Sequence, residues 1–173
     1  DDCDFLTLLN KTNKLKGNDL VFKNQSNVIN LAGIIGGAQT ACSETTKNVL
    51  IECAYFEPES IIGRAIKYDL HSDASHKFER GVDPLCHQKV LRRFIQIVSD
   101  HANIVNLGIY TESTSSYKET ELDINLKKIN SILGLDIAID EYLSALIKLG
   151  FKIDEGIKVP SYRSDIAHQN DLA

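Results

Sequence analysis

Residues 27–56, NVINLAGIIGGAQTACSETTKNVLIECAYF, contain two apolar runs joined by a polar connector. The first run, 27–37, ends in Gly36 and Gly37, which predicts a buried strand that enters a tight loop. The second run, 46–56, is apolar on both of its alternating faces except at Glu52. We therefore predict that 46–56 is a central strand covered on both sides.

Glu52 and the glycines of AGIIGG (32–37) are the first candidates for a binding site. An ionised carboxylate on a covered strand is costly unless it is paired or hydrogen-bonded. Glu52 could therefore form a structural salt bridge with Arg64 or Arg80, or accept a polar group of a ligand. The glycines permit close backbone approach or positive φ, but their spacing matches no nucleotide-binding motif, and a tight turn is the simpler interpretation.

The composition describes an ordinary globular protein. The chain has 173 residues, 43% of them hydrophobic and 25% charged, which suffices for a core without disulfides. A net charge of −5 argues against an autonomous nucleic-acid-binding protein. The four cysteines form no CxxC pair, and no apolar run approaches the ~18 residues that cross a bilayer. We expect a cytoplasmic protein with no membrane association.

Two helices are predicted on either side of the segment SDASHKFERGVDP (72–84). Pro58 favours the start of the first helix, and Asp83 and Pro84 favour the start of the second. The first apolar stripe would contain Ile61, Ile62, Ala65 and Ile66. The second would contain Leu91, Phe94, Ile95 and Val98.

The segment 72–84 itself is expected to connect the two helices and to be rich in hydrogen bonds. Ser72 and Ser75 should bond to local backbone groups. A catalytic triad is rejected because no GxSxG turn is present, and His71 and His76 lack the spacing of a metal motif.

The Ser- and Thr-rich stretch 109–120 is predicted to be a linker between two domains, 1–112 and 113–173. Beyond it we expect a strand near ELDINL, a helix stopped by Gly134, a helix capped by Asp140 and stopped by Gly150, and two short strands. This order suggests a small winged-helix-like α+β domain. The first and last residues look like cuts made inside a larger protein.

Residues 27–84 closely resemble the bacterial phenylalanyl-tRNA synthetase beta chain. The shared pattern runs through AGxxGG, S-x-x-T, a VLLE-type strand, F-x-P, a Ser/Thr-Asp-Ala-Ser stretch and FERGVDP. Residues 119–173, with INSILG, LIKLGF and VPSYRSDI, resemble the small domain that follows in that chain. The resemblance implies an α+β fold. Residues 1–112 would be the C-terminal portion of an editing module with a mixed sheet and packed helices, and 113–173 an incomplete winged-helix-like domain.

The same resemblance implies a function in hydrolysing tyrosine wrongly esterified to tRNA(Phe). Glu52 matches the glutamate that receives the tyrosine hydroxyl, Gly33 and Gly36 match pocket glycines, and Ser72 and Ala74 match two further pocket positions. The family more often has Thr where this chain has Ser72. A histidine and a polar pair used by the family lie upstream of this sequence, and we assign no catalytic residue and no metal ligand.

The resemblance also implies partners for the whole enzyme. These are tRNA(Phe) and an alpha chain in an alpha2-beta2 assembly, with ATP and magnesium as cofactors and none in this segment. Two alternatives remain open. The chain by itself could be an inactive scaffold, or residues 119–173 could bind RNA, although their basic residues form no obvious stripe.

Overall fold

The computed structural model describes residues 2–114 and 116–173, so Asp1 and Ser115, the latter in the predicted linker, lie outside the described residues. The chain divides into two compact units, Asp1–Val82 and Asp83–Ala173. Both contain helices and small antiparallel sheets, which confirms the α+β class. The domain boundary predicted after residue 112 stays a prediction.

Five short strands form two sheets in the N-terminal unit. Strand β1 (Cys3–Leu6) pairs with β2 (Thr12–Leu15), and β4 (Asn27–Leu31) lies between β3 (Val21–Asn24) and β5 (Ile35–Gly36). Every pairing among the described strands is antiparallel. The mixed sheet expected for this module is therefore not found, because the short connections between these strands permit only antiparallel neighbours.

The helix predicted from Pro58 begins there but is interrupted. It forms α1 (Pro58–Ile61) and α2 (Arg64–Tyr68), separated at Gly63, which has a φ of 77°. This left-handed residue breaks the helical hydrogen bonding and redirects the chain. As a result Ile61 and Ala65 are buried, whereas Ile62 and Ile66 of the predicted stripe are 57% and 74% exposed.

The core of the N-terminal unit combines apolar residues from the strands with residues from α1, α2 and the segment after α2. It comprises Phe5, Leu15, Leu31, Ile34, Ile61, Tyr68 and Leu70. Helix α3 (Asp73–Phe78) follows, and its six residues lie within the segment 72–84 that is predicted as a connector. Burial of these side chains supplies the main stabilisation of the unit.

Asp19, between β2 and β3, joins the strands to α2. Its side chain has no exposed surface and accepts hydrogen bonds from the Tyr68 hydroxyl, the Lys16 backbone N–H at 2.8 Å and Lys67 Nζ at 3.1 Å. An Arg64 guanidinium nitrogen lies 3.5 Å from the same carboxylate. Burial raises the pKa of Asp19, but these donors together lower the pKa below its usual value.

The described residues of the C-terminal unit form three α-helices, a 3-10 helix (Gln169–Leu172) and a three-stranded antiparallel sheet in the order β6-β8-β7. Its elements are α4 (His87–His101), β6 (Glu121–Leu122), α5 (Leu126–Leu133), α6 (Ile139–Lys148), β7 (Lys152–Ile153) and β8 (Ile157–Lys158). The ends of α5 near Gly134 and of α6 near Gly150 are confirmed, and both glycines have positive φ. Asp140 does not cap α6. Ala138 precedes that helix, and Asp140 lies in its first turn.

The core of this unit comprises Ile129, Tyr142, Leu146, Phe151, Ile157, Val159, Ile166 and Leu172. The Tyr142 hydroxyl donates to the Leu172 carbonyl at 3.1 Å, which holds the last described turn against α6. Burial raises the pKa of this phenol. Among the described residues, no helix combines the length and the apolarity that crossing a membrane requires.

Helix α4 differs from its prediction in both its start and its burial. Asp83 accepts a hydrogen bond from the Leu85 backbone N–H at 2.9 Å, which forms a turn, and the helix begins later, at His87. None of its predicted apolar face is fully buried, and Phe94 is 41% exposed. The core of the unit is formed by residues from Ile129 onward, so α4 contributes nothing to it.

We expect Asp19→Asn to lower the free energy of unfolding of the N-terminal unit by about 2 kcal/mol at pH 7, because charge-assisted hydrogen bonds to a buried carboxylate are lost. The pKa of Asp19 is lowered in the folded state. Its contribution is therefore present above the unfolded pKa and disappears as the pH falls through the folded pKa. Urea unfolding of both proteins at pH 7 and at pH 3 measures this difference.

Asp69→Asn is the matched control, since Asp69 pairs with Lys11 at 2.7 Å but its side chain is 82% exposed. We expect this variant to unfold nearly like the unsubstituted chain. Equal losses for the two variants, or a deficit of Asp19→Asn that stays constant with pH, would contradict the assignment.

Candidate functional site

The apolar run 46–56 is not a central strand in this structure. Residues 41–57 carry no strand or helix before Pro58 in the part of the chain that the structure describes. Val49, Leu50 and Ile51 are 61%, 94% and 43% exposed. A central strand needs hydrogen-bonded neighbours and a layer on each face, and this segment joins neither of the two sheets of its unit. The prediction of a covered strand is therefore wrong here.

Glu52 is exposed, and its carboxylate is bound to the sheet by an amide. Asn30 Nδ2 on β4 donates to Glu52 Oε2 at 2.8 Å. The two arginines considered as salt-bridge partners are engaged elsewhere. Arg64 lies near Asp19, and an Arg80 guanidinium nitrogen lies 2.9 Å from His76 Nδ1. A hydrogen bond from a neutral amide thus takes the place of the structural salt bridge.

Partial burial raises the pKa of the Glu52 carboxyl above its usual value, and the hydrogen bond from Asn30 acts in the opposite direction. When folding raises the pKa of a carboxyl, the free energy of unfolding of the protein falls as that group ionises at higher pH. A carboxylate offers about four acceptor positions, and the amide uses one of them. Glu52 is therefore partly desolvated, and the Asn30 amide is its protein donor among the described residues, so a ligand group could take its other acceptor positions.

Gly33 turns the chain between β4 and β5 with a φ of 69°. A Cβ atom at this position would lie 3.0 Å from Ile61 Cδ1 and 3.1 Å from Phe56 Cδ2. At Gly36 a Cβ atom would lie 3.2 Å from Leu8 Cδ1. Glycine is required at position 33 for two reasons. The turn has a positive φ, and a Cβ atom would enter the space that Phe56 and Ile61 occupy.

Ser72 begins α3 and ties it to the glycine loop. Its hydroxyl accepts from the Ser75 backbone N–H at 3.0 Å and donates to the Ile34 carbonyl at 2.6 Å. Ser75 Oγ in turn accepts from the Ser72 backbone N–H at 3.3 Å, which completes a capping box. The predicted bonds of both serines to local backbone are confirmed. Ala74 follows, half-buried, in the first turn of α3.

The Phe56 ring connects the glycine loop, β3 and α3. Its ring contacts Phe22 of β3 edge-on at 6.1 Å and Phe78 of α3 at 5.0 Å, measured between ring centroids. Phe78 lies one helical turn after Ala74, on the same side of α3. A continuous series of contacts therefore joins the glycine loop, Phe56 and α3.

Sequence reasoning identified neither Asn30 nor Phe56 as a site residue. Asn30 is a polar residue inside the apolar run NVINLAG, and that interruption was the available signal. Phe56 stands two residues before Pro58, in the F-x-P motif of the family pattern, and is placed by the sequence in the wrongly predicted strand without a role in the site.

Two cavities of the N-terminal unit lie away from these residues. One of about 140 Å³ is lined mainly by β1 and β4, and one of about 410 Å³ is lined by 17–20, Glu59, Ser60 and Arg64. Glu52, Gly33, Ser72 and Ala74 line neither cavity. The Glu52 side chain of the candidate site is exposed, so its carboxylate is accessible from solvent.

Comparison with known proteins places the chain in a family. Residues 1–103 match the family model of the B3/4 domain, and 122–173 match that of the tRNA synthetase B5 domain. Proteins from Nitrosococcus oceani and Pectobacterium atrosepticum are each 37% identical over 175 residues, and one from Yersinia pestis is 35% identical over 179 residues. All three are named phenylalanine–tRNA ligase beta subunit.

The chain belongs to the phenylalanine–tRNA ligase beta-subunit family. The aligned regions cover 96%, 96% and 99% of this chain but 22% of each relative, so the chain spans about a fifth of the length of these ligase beta subunits. The resemblance read from the sequence is confirmed. The B3/4 match contains every residue of the candidate site.

Among the described residues, no group of three or more His, Cys, Asp and Glu side chains could hold a metal ion. Magnesium in proteins is usually bound through one or two carboxylates together with substrate phosphates. We derive no step of the chemistry of this segment through ATP or magnesium.

We expect Gly33→Ala to lower the free energy of unfolding of the N-terminal unit by about 1–3 kcal/mol, because the residue has positive φ and its Cβ would crowd Phe56 and Ile61. Gly108→Ala is the control, since a Cβ there meets open space among the described residues. Thermal unfolding of both variants provides the measurement. A Gly33→Ala protein as stable as the control would show that the loop adapts freely.

Proposed function

We propose that this segment of a phenylalanine–tRNA ligase beta subunit contributes to hydrolysis of tyrosine wrongly esterified to tRNA(Phe). Glu52 recognises the tyrosine hydroxyl, and Gly33, Gly36, Ser72 and Ala74 shape the pocket. The observation that carries the proposal is the partly desolvated Glu52 carboxylate, held by Asn30 on the strand that leads into the glycine loop. Family membership supports the substrate class.

Discrimination between tyrosine and phenylalanine is the physical problem that Glu52 addresses. The two side chains differ by one hydroxyl, and a purely apolar pocket separates such a pair poorly. A site built to accept a hydrogen bond from the hydroxyl disfavours the analogue that lacks it, because the buried acceptor is then left unpaired. The Asn30 amide is the protein donor to Glu52 among the described residues, so the other acceptor positions of the carboxylate can receive a phenol. Phenylalanyl esters are spared because they leave those positions unfilled.

Hydrolysis itself needs little from this chain. An aminoacyl ester is already activated, so an oriented water and donors to the carbonyl oxygen suffice. We assign no covalent nucleophile and no catalytic residue among the five pocket positions. The loop 33–37 is the candidate for close backbone contact with the ester end of the substrate.

The wider proposal concerns the partners of the whole enzyme. These are tRNA(Phe) and an alpha subunit in an alpha2-beta2 assembly, in the cytoplasm, with ATP and magnesium bound outside this segment. The division into domains 1–112 and 113–173 is supported by the two family matches, which end at residue 103 and begin at residue 122. The β6-β8-β7 sheet with α5 and α6 supports a winged-helix-like second domain.

A second candidate concerns the 173-residue chain on its own. Glu52 is exposed in it, and the apolar side chains at 49–51 are uncovered. Selection for a phenol requires that water be kept away from the acceptor. We therefore propose that the chain alone is a folded scaffold that does not hydrolyse the ester. Binding of RNA by residues 119–173 is a weaker alternative, given the net charge of −5 for the whole chain.

In the complete ligase that carries this segment, we expect Glu52→Ala to slow the clearance of Tyr-tRNA(Phe) by about 10- to 100-fold, the effect of losing a charge-assisted hydrogen bond. Synthesis of Phe-tRNA(Phe) should stay near normal. Accumulated Tyr-tRNA(Phe) and the rate of deacylation of preformed Tyr-tRNA(Phe) measure the two effects separately.

Glu44→Ala is the matched control, because Glu44 is an exposed carboxylate on the same segment, before the apolar run. It should clear Tyr-tRNA(Phe) at the rate of the unsubstituted ligase. Unchanged clearance by Glu52→Ala would remove Glu52 from recognition.

For the purified 173-residue chain, we expect no deacylation of Tyr-tRNA(Phe) above the spontaneous rate, since its acceptor is open to water. Incubation of labelled Tyr-tRNA(Phe) with and without the chain gives the measurement. Hydrolysis that disappears in Glu52→Ala would refute the scaffold interpretation and show that the segment edits alone.

A further inference from the structure

Asn30 is a polar residue on β4 between Ile29 and Leu31. In the strand ladders it lies opposite Phe22 of β3 and Gly36 of β5. Residues directly opposite each other in antiparallel strands project to the same face of a sheet. The Asn30 amide therefore shares one face with the Phe22 ring, on the strand that leads directly into the glycine loop.

This amide attaches Glu52 to the sheet. The hydrogen bond from Asn30 Nδ2 to Glu52 Oε2, at 2.8 Å, joins residues 22 positions apart in the sequence. In the described structure, the segment around Glu52 is part of no strand or helix. A side-chain bond to a strand held on both sides by β3 and β5 therefore restricts where the carboxylate can point.

We propose that Asn30 is a positioning residue of this site, whose amide orients the Glu52 carboxylate so that its remaining acceptor positions face the phenol of a tyrosyl ester. The inference rests on the proposed function of Glu52. It adds a residue that acts on the substrate only through that carboxylate.

A neutral donor suits this task better than a cation. An arginine or lysine partner would compensate the charge of Glu52 and would reduce the gain from a further hydrogen bond. An amide fixes one oxygen and leaves the negative charge in place. The carboxylate then gains most from a phenol that donates to it, which is the property that separates tyrosine from phenylalanine.

The ionisation of Glu52 reflects this geometry. Partial burial raises its pKa, and donation from Asn30 limits the rise by favouring the ionised form. Other ionisable side chains on the surrounding elements are Lys23 on β3, Glu59 on α1 and, on the segment 41–57 that carries Glu52, Cys42, Glu44, Lys47, Cys53, Tyr55 and Glu57. Burial and the Asn30 amide are the two causes of the shift.

Kinetics of the complete ligase test the proposal with three variants. We expect Asn30→Ala to lower kcat/KM for Tyr-tRNA(Phe) deacylation about 5- to 20-fold, as for loss of a hydrogen bond to a charged group. The acid limb of the pH profile should move to higher pH. Asn30→Gln, which keeps the amide, should recover part of the loss. Asn27→Ala removes an exposed amide from the same strand and should change neither quantity.

Titration of the Glu52 carboxyl distinguishes failure of the Asn30 proposal from failure of the proposed function. We expect the Glu52 pKa, followed by carbon NMR in the 173-residue chain, to rise in Asn30→Ala and to stay unchanged in Asn27→Ala. If the pKa does not move, Asn30 does not act on Glu52 and the proposal is overturned. If Glu52→Ala impairs deacylation while Asn30→Ala leaves rate and pH profile unchanged, the proposed function stands and the role of Asn30 falls. If Glu52→Ala has no effect, both fall together.

Discussion

The buried carboxylate of Asp19 is the constraint on which the arrangement of the N-terminal unit depends. Donors from the preceding turn and from α2 converge on one side chain that has no exposed surface. The position of α2 relative to the strands is thereby fixed. Because α1 precedes α2 by only two residues, the Ile61 side chain is also held where it packs on the Gly33 turn. The cluster of donors around Asp19 therefore also helps to set the geometry of the glycine loop.

Asp19 and Glu52 illustrate two uses of a carboxylate in one small unit. Asp19 is saturated by donors, its pKa is lowered, and its role is structural. Glu52 has one neutral donor, its pKa is raised, and it keeps acceptor capacity. Neither residue type nor sequence neighbourhood separates the two cases. The two carboxylates differ in the number and charge of the donors that surround each of them in three dimensions. This difference directs attention to Glu52 as the acceptor of a ligand group.

Local signals in the sequence predicted local features well. The start of α1 at Pro58, the ends of α5 and α6 at glycines, and the backbone bonds of Ser72 all follow from chemistry within a few residues. The predictions that were wrong concern whether an apolar surface is covered by another part of the protein. The pattern of 46–56 indicates a strand covered by a layer on each face, and the apolar face of α4 indicates a packing partner. Periodicity alone cannot say whether this chain contains those layers or that partner. The Asn30–Glu52 bond was equally beyond reach, because it depends on how two distant segments meet. Local chemistry already pointed to Glu52 and the glycines of 32–37 as candidates, and the family resemblance added Ser72, Ala74 and the proposed role of each residue.

The uncovered side chains at 49–51 also have a consequence for how the chain behaves in concentrated solution. Three β-prone apolar residues without a partner strand offer a surface on which two molecules can adhere. Lys47 and Glu52 flank the run and act as charged gatekeepers against that adhesion. We therefore expect neutralisation of Glu52, the acid proposed for substrate selection, to increase the tendency of the separate chain to aggregate.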